Sequence, residues 1–183
     1  MALERIAALR AMAPERIDSF DRSYTLCYTD GSAKDGVHDG GYGILVQWPD
    51  GTTTRASGPV GKITCSYDCE YKAFVECLRL VLRRHREGTT LTGVVVLTDC
   101  QSLVRKLRGT GSAEVGEALQ LVEELMRVEN VRVIVQWLPS HVGTGGQSRQ
   151  TPTAAKQPGH PNAGGTTSAT QNSCPLGSRI GII

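Results

Sequence analysis

The sequence predicts an α/β fold: a mixed sheet of five strands, made of an antiparallel meander of three strands and two parallel strands, with helices packed against it. Two observations predict this class. Short segments that alternate apolar and polar residues come first, separated by turn signals. Stretches with apolar residues at helical spacing then alternate with continuous apolar runs, which are typical of strands buried on both faces. The predicted element order is therefore βββαβααβ.

The antiparallel meander is predicted within residues 24–58. Residues 24–30, "YTLCYTD", alternate and are rich in aromatic and β-branched side chains, which favours a strand. Residues 40–48 form the second predicted strand, and residues 52–58 form the third across the hairpin signal "PDG". Because the connections are short, we expect these three strands to run antiparallel.

A long helix is predicted over residues 67–86. Ser66 is a suitable N-cap, Asp68 lies in the first turn, and the basic run "RRHR" lies in the last turn before Gly88. The remaining predicted elements are a buried strand, two helices and a last strand, at residues 92–98, 101–108, 112–127 and 131–139.

Charge is distributed unevenly along the 183 residues. The part before residue 143 holds 17 of the 20 Lys and Arg and all 18 Asp and Glu, so it is nearly neutral, and the net charge of +2 belongs to the remainder. Bulk charge therefore does not indicate a nucleic-acid-binding protein, and any such function must use a local patch.

The sequence predicts three parts: an N-terminal helix and linker (residues 1–20), a folded domain (21–146) and a tail (147–183). The tail is rich in Gly, Pro, Ser, Thr and Asn, which bury too little apolar surface to order the chain, so we expect disorder. The first residues lack the apolar run of a signal peptide. Because no segment is long enough to span a membrane, we expect an intracellular protein (cytoplasm or nucleus) without a membrane partner.

Six cysteines raise the question of a metal site or a disulfide framework. Cys65, Cys69 and Cys77 could serve as metal ligands, but no C-x-x-C pair and no histidine at zinc-finger spacing accompanies them. Buried free thiols in a reducing compartment are the favoured interpretation.

Three acidic residues converge on one edge of the predicted sheet. Asp30 ends the first strand and Asp99 ends the fourth, and a right-handed crossover places both ends at the same edge. Glu70 lies in the first turns of the long helix, which begins at that edge, and it shares a helix face with Phe74 and Val81, which must pack on the sheet. A glutamate on an inward face needs a cation or a hydrogen-bond donor.

Each acid also has a structural interpretation. Asp30 before Gly31 is a common turn residue, Asp99 is an acceptable N-cap, and Glu70 suits a helix start. Singly, these interpretations are favoured. Three carboxylates from separate elements at one edge are better explained together, because clustered carboxylates repel one another unless a hard divalent cation such as Mg²⁺ or Mn²⁺ binds between them.

Four motifs, in this order, resemble the ribonuclease H family of type 1: "YTDGSA", the helical glutamate in "CEYKAFVECLRL", "VVVLTDCQSLVRKL" and "VQWLPSHVG". In detail they are similar to the ribonuclease H domains appended to reverse transcriptases of non-LTR retrotransposons, where the last motif often reads W-x-P-x-H-x-G. The resemblance covers residues 24–146. It implies a ribonuclease H-like fold, an origin in a larger reverse transcriptase polyprotein and, we expect, a monomer.

The resemblance also implies an enzyme, an RNA–DNA hybrid ribonuclease that cuts the RNA strand by two-metal-ion catalysis with Mg²⁺ or Mn²⁺. It implies that Asp30 bridges both ions, that Glu70 holds one of them, and that Asp99 holds the other. His141 matches the histidine of the family's loop, to which proton transfer or product release is assigned.

Contacts with the hybrid are implied at four further residues. Gln101 matches a position that reaches the minor groove, where 2′-hydroxyl groups distinguish the RNA strand. Main-chain groups of Gly31 and Ser32 should lie against the RNA backbone. Ser66 stands where relatives often carry Asn or Gln, so the resemblance implies that it is a candidate for binding nucleic acid.

The basic run at residues 83–88, "RRHREG", has two interpretations. It could bind the phosphates of the DNA strand. It also lies at the C-terminus of a predicted helix, where basic side chains interact favourably with the helix dipole. The second interpretation is slightly favoured.

The resemblance ends before the family pattern is complete. The family continues into a final helix whose Asp is the fourth metal ligand, whereas this chain has Thr151 at that position and no acidic residue after Glu129, so we expect the final helix to be missing. Residues 147–152 can be encoded so that another reading frame gives Glu-Gln-Ala-Asp-Ala, and our hypothesis is a frameshift. An alternative to the active enzyme therefore stays open: a catalytically impaired remnant of a retroelement that only binds nucleic acid.

Overall fold

A computed structural model of the chain describes Glu4, Ile6, Phe20 and residues 22–109, 113–139 and 181–182. Six strands of these described residues form one sheet, and in chain order they are β1 (Tyr24–Lys34), β2 (His38–Gln47), β3 (Thr53–Ile63), β4 (Gly93–Thr98), β5 (Arg132–Trp137) and β6 (Gly181–Ile182). Their order across the sheet is β3-β2-β1-β4-β5-β6.

The sheet is mixed, as the sequence predicts. β1 pairs antiparallel with β2, and β2 pairs antiparallel with β3, whereas β1 with β4 and β4 with β5 are parallel pairs. Short turns can join only antiparallel neighbours, while the parallel pairs need the helical crossovers that the sequence also predicts. The predicted fold class is confirmed for these five strands.

The sixth strand departs from the expected five. Gly181–Ile182 pairs parallel with β5, although the sequence predicts disorder throughout residues 147–183. Ile182 packs against the main hydrophobic core, and Arg108 donates a hydrogen bond of 3.2 Å to its carbonyl oxygen. Two residues carry no periodicity, so no sequence pattern could indicate this strand. Residues 147–180, and with them the expected loss of the final helix, lie outside the described residues.

Among the described residues from 22 onward, three α-helices accompany the sheet: α1 (Ser66–Arg86), α2 (Gln101–Arg108) and α3 (Gly116–Glu123). The helix predicted over residues 112–127 is present from Ala113 to Val128, but it is not α-helical throughout. A 3₁₀ turn precedes α3 and a π-helical turn follows it, at Ala113–Val115 and Glu124–Val128. Gly116, a weak helix former, is the first residue of α3 and directly follows the 3₁₀ turn.

Helix α1 begins one residue earlier than the sequence predicts. Its N-cap is Cys65, and Ser66 is the first helical residue. The carboxylate of Asp68 accepts hydrogen bonds from the backbone N–H of Cys65 at 3.2 Å and from its thiol at 3.1 Å. Asp68 therefore closes the helix end in the manner of a capping box.

Hydrophobic side chains pack on both faces of the sheet. The larger cluster includes the inward faces of the three helices, and the smaller cluster contains Ile6. Successive residues of β4 alternate between the two: Val94 and Val96 enter the larger cluster, while Val95 and Leu97 enter the smaller. All of β4 is buried, which confirms the prediction drawn from its continuous apolar run.

The N-terminal residues are described at three positions only. Glu4 and Ile6 are helical, and Ile6 is 1% exposed. The rest of the predicted N-terminal helix and linker lies outside the described residues. Within the part of the chain that is described, no helix combines the length and the hydropathy needed to cross a membrane.

The cysteines are free thiols where the structure describes them. Cys27, Cys69 and Cys77 are buried, whereas Cys65 is exposed. Burial raises the pKa of Cys27 and of Cys69, so both stay protonated and unreactive near neutral pH. In the described ranges, the group of side chains placed to hold a metal ion contains no cysteine.

Candidate active site

Asp30 lies where β1 and β4 separate. The parallel register of these two strands ends at Tyr28 opposite Leu97, and Asp30 and Asp99 each follow two residues later. Equal spacing from a shared register brings both to the same edge. Strand β1 itself continues to Lys34 in its pairing with β2, so the prediction that Asp30 ends the strand is wrong. What ends there is the pairing with β4.

Glu70 reaches this edge because α1 approaches β1 very closely at Gly31. A Cβ atom on Gly31 would lie 2.2 Å from the backbone carbonyl carbon of Cys69 and 2.2 Å from the backbone nitrogen of Glu70. Backbone atoms cannot rotate away as a side chain can, so glycine is the residue that permits this approach. Glu70 is consequently held against the sheet and is 6% exposed.

The three carboxylates form one cluster. One ligand atom from each of Asp30, Glu70 and Asp99 lies within 4.8 Å of the other two. Asp30 is fully buried, Glu70 is nearly so, and Asp99 is half-buried. The cluster is therefore deep at Asp30 and reaches solvent on the side of Asp99.

The thiol of Cys100 responds to the negative charge of this cluster. Burial is the main cause that raises its pKa, and the charges of Glu70 and Asp99 raise it further. A site that disfavours a thiolate because of neighbouring carboxylates favours a cation for the same reason.

The predicted nucleic-acid-binding residues lie at the same end of the sheet. Gly31 and Ser32 directly follow Asp30 in β1. Ser66 and Gln101 are the first residues of α1 and α2, and both are exposed. Each of the four is within two residues, or one helical turn, of a cluster carboxylate. His141 lies outside the described residues.

A contact made by Trp137 at this site was not predicted from the sequence. The indole nitrogen of Trp137, in β5, donates a hydrogen bond of 3.1 Å to the main-chain carbonyl oxygen of Asp99. Trp137 belongs to the last of the four motifs, but the sequence does not show which way its side chain points.

The basic run at residues 83–88 makes contacts within the protein. Arg84 stacks over the ring of Trp48 at 5.1 Å and lies 3.6 Å from Asp50. Arg86 pairs with Glu124 and with Glu129, the second at 2.8 Å. Since α1 rises about 1.5 Å per residue, Arg86 lies roughly 24 Å along the helix from Glu70. These contacts and this distance favour the structural interpretation of the run.

No family model and no curated protein matches the chain. Solved structures do resemble it. The N-terminal ribonuclease H domain of a Mycobacterium tuberculosis protein, fused to maltose-binding protein, is 21% identical over 63% of this chain and 82% of that chain, with a TM-score of 0.47. LC11 ribonuclease H1, isolated from compost and in complex with an RNA/DNA hybrid, is 20% identical over 61% and 83%, with a TM-score of 0.48.

A third similar structure is ribonuclease H1 from the halophilic archaeon Halobacterium salinarum, at 15% identity over 63% of this chain and 86% of that chain, with a TM-score of 0.49. At these identities and TM-scores the likeness says nothing about activity. This chain itself has a mixed sheet with an antiparallel meander, parallel strands and flanking helices.

Proposed function

We propose that this protein is an enzyme that hydrolyses the RNA strand of RNA–DNA hybrids with divalent metal ions bound by Asp30, Glu70 and Asp99. The observation that carries the proposal is the convergence of three carboxylates within 4.8 Å, two of them buried, where β1 and β4 separate. The four motifs that resemble the ribonuclease H family support it from the sequence.

The donor set fits Mg²⁺ or Mn²⁺. Both are hard cations that prefer carboxylate oxygens. With metal–oxygen distances of about 2.0–2.1 Å, two oxygens on one ion lie roughly 3–4 Å apart. The 4.8 Å limit on the carboxylates therefore requires only small side-chain rotations. A bound cation also offsets the cost of gathering like charges where water is largely excluded.

Divalent ions at this site would activate the attacking water and stabilise the leaving oxygen. We assign Asp30 to both ions, and Glu70 and Asp99 to one ion each. Burial of Asp30 and Glu70 keeps these carboxylates in fixed positions, while the half-buried Asp99 faces the side from which a substrate can enter. We assign proton transfer or product release to His141.

Contacts with the hybrid are assigned to the residues that flank the carboxylates. Main-chain groups of Gly31 and Ser32 would lie along the RNA backbone. The amide of Gln101 can donate to or accept from a 2′-hydroxyl group, which is the feature that separates RNA from DNA. Ser66, exposed at the start of α1, would contact the same groove.

Cleavage of a hybrid labelled on its RNA strand, in Mg²⁺ or Mn²⁺, tests the proposal. Asp30→Asn keeps the size of the side chain and removes its charge, and we expect the rate to fall at least about 100-fold, roughly 2.7 kcal/mol of transition-state stabilisation. Asp50→Asn is the matched control, because Asp50 is an exposed carboxylate in the turn between β2 and β3. Equal cleavage by the wild type and by Asp30→Asn overturns the metal-site assignment.

The impaired remnant is a distinct outcome of the same assay. If the wild type retains the hybrid in a filter-binding measurement but does not cleave it in either metal, the protein binds nucleic acid without catalysis. Restoring an acidic residue and a helix after residue 146 should then restore cleavage.

We also propose that the chain derives from a larger reverse transcriptase polyprotein and acts as a monomer inside the cell. The order of the four motifs supports this origin. Sequencing the DNA across codons 140–155 tests the frameshift: codons that cannot give Glu-Gln-Ala-Asp-Ala in another frame contradict it.

A further inference from the structure

We propose that Trp137 is a positioning residue that holds Asp99 in the arrangement needed to bind metal. This inference rests on the proposed function, because it concerns the same carboxylate cluster. It follows from a difference among the three acids in how their main chain is held.

Asp30 and Glu70 belong to regular elements. Asp30 lies within β1, opposite Gly43 of β2, and Glu70 lies within α1. Their backbone positions are fixed by a strand ladder and by a helix. Asp99 lies between β4, which ends at Thr98, and α2, which begins at Gln101. It therefore belongs to neither a ladder nor a helix.

The residues on either side of Asp99 are tied to regular structure. On one side, Leu138 donates its backbone N–H to the carbonyl oxygen of Thr98 at 2.9 Å. On the other side, the N–H of Cys100 donates to the hydroxyl of Thr98 at 3.1 Å, and the carbonyl of Cys100 accepts from Val104 as α2 begins.

The main-chain carbonyl of Asp99 is held by a side chain instead. Trp137 is the last residue of β5 and pairs with Thr98 in the register of the sheet. Its indole N–H donates to the Asp99 carbonyl at 3.1 Å. Together with the bond from the Cys100 N–H to the Thr98 hydroxyl, this bond holds the peptide plane that follows the Asp99 Cα, and the carboxylate extends from that same Cα. Without it, the plane keeps only one of these two bonds, and the carboxylate is held less firmly beside Asp30 and Glu70.

The test compares the two tryptophans of the chain. Trp137→Phe keeps a packed ring and removes the donor. Trp48→Phe is the matched control, because Trp48 also donates an indole hydrogen bond, at 2.8 Å to the hydroxyl of Thr54, on the part of the β2–β3 hairpin beside its turn. Each variant loses one aromatic N–H bond, but Trp137 alone bonds to a cluster residue.

Binding of Mn²⁺, followed by the electron paramagnetic resonance signal of the free ion, is the first readout. We expect Trp137→Phe to raise the dissociation constant about five- to tenfold, as for the loss of one hydrogen bond, and Trp48→Phe to leave it unchanged. In an Asp99→Asn background, Trp137→Phe should cause no further loss, because the residue through which it acts has been neutralised. Equal binding by wild type and Trp137→Phe overturns the positioning role.

A second readout uses the wild-type protein, so it does not depend on whether a variant folds. The chain has two indole N–H groups, so each gives one resonance in a nitrogen–proton spectrum. On addition of Mg²⁺ we expect the Trp137 indole resonance to shift while that of Trp48 stays in place. If the wild type binds Mg²⁺ and the Trp137 resonance does not shift, the inference is wrong; if the wild type binds neither Mg²⁺ nor Mn²⁺, it is the proposed function that fails.

Discussion

The two ends of helix α1 carry opposite arrangements of charge. At its first turns, Glu70 lies beside Asp30 and Asp99, three carboxylates within 4.8 Å. Its last turn carries only basic side chains, and one of them, Arg86, pairs with Glu124 and Glu129 from a later segment of the chain. One helix thus joins a cluster of like charges to a network of opposite charges.

The difference between the two ends of α1 shows that charged groups can affect stability and function in different ways. Exposed ion pairs such as those of Arg86 contribute little, since water and salt screen them. Three like charges in a largely buried place lower stability unless a ligand of opposite charge binds. A cluster of like charges is favoured in a fold where binding offsets that cost, and this supports the proposal that the carboxylate end of α1 binds metal.

The largest effect is expected from adding a side chain to Gly31, where α1 packs closely against β1. Gly31→Ala places a methyl group 2.2 Å from the backbone of Cys69 and Glu70, so the helix must move away from the strand. We expect the free energy of unfolding to fall by about 3 kcal/mol, at the upper end of the cost of overpacking. We also expect the rate of cleavage and the affinity for metal to fall together. Urea denaturation and the hybrid assay measure the two effects.

Gly116→Ala is the matched control for this substitution. Gly116 is the first residue of α3, and a Cβ there meets nothing within 4 Å. Alanine in a helix is more favourable than glycine by roughly 0.5–1 kcal/mol, so this variant should be more stable and equally active. A Gly31→Ala protein with wild-type stability and activity contradicts the close approach.

Divalent metal should stabilise the fold through the carboxylate end. At 100 times its dissociation constant, Mg²⁺ adds about 2.7 kcal/mol to the free energy of unfolding. Asp30→Asn should lose this increment, and in EDTA it should melt at a higher temperature than the wild type because one of the repelling charges is gone. Thermal melting in Mg²⁺ and in EDTA measures both effects. A wild-type melting temperature that does not change on addition of Mg²⁺ contradicts the metal site.

How much of this could be predicted from the sequence depends on how far apart the interacting residues lie. The edge shared by Asp30 and Asp99 follows from strand direction and crossover handedness, both of which are local or general rules. The inward face of Glu70 follows from helical spacing. These features need no knowledge of which side chains meet.

The features that sequence reasoning missed depend on contacts between distant segments. The fit of Gly31 against the backbone of α1 depends on the distance between a strand and a helix. The bond from Trp137 to Asp99 depends on the direction of a side chain. The strand at Gly181–Ile182 depends on pairing with β5, which lies far away in the sequence. The last four residues of β1 were missed because "GSAK" has no strand periodicity of its own.

A smaller effect is expected at the basic end of α1. The double variant Arg84→Ala, Arg86→Ala removes contacts to Asp50, Glu124 and Glu129. We expect a modest fall in melting temperature at low salt, a smaller one at 1 M salt, and an unchanged KM for the hybrid. A KM that rises at low salt, with a weaker dependence of binding on salt, would instead support a role in binding DNA phosphates.

The smallest effect is expected midway along α1, at Glu76. Burial raises the pKa of this carboxyl group, but hydrogen bonds and charges from Lys72 and Arg79 outweigh burial, so the net pKa lies below its usual 4.5. Lys72 lies 2.8 Å and Arg79 2.6 Å from the same oxygen. Because the folded pKa is lowered, the stabilisation is fully present above pH 4.5 and is lost as the pH falls through the folded pKa.

Glu76→Gln isolates this contribution. At pH 7 the variant should be less stable than the wild type by under about 1 kcal/mol, because the Lys72 and Arg79 side chains are about 40% exposed and solvent screens the pairs. Below pH 4.5 the two proteins should converge, since the wild-type carboxyl becomes protonated and loses its advantage over an amide. Urea denaturation between pH 3 and pH 7 measures the difference. A gap that stays constant over this range shows that Glu76 stabilises α1 by packing and hydrogen bonding that do not depend on its charge, and the ion pairs between the two ends of the helix then add nothing to stability.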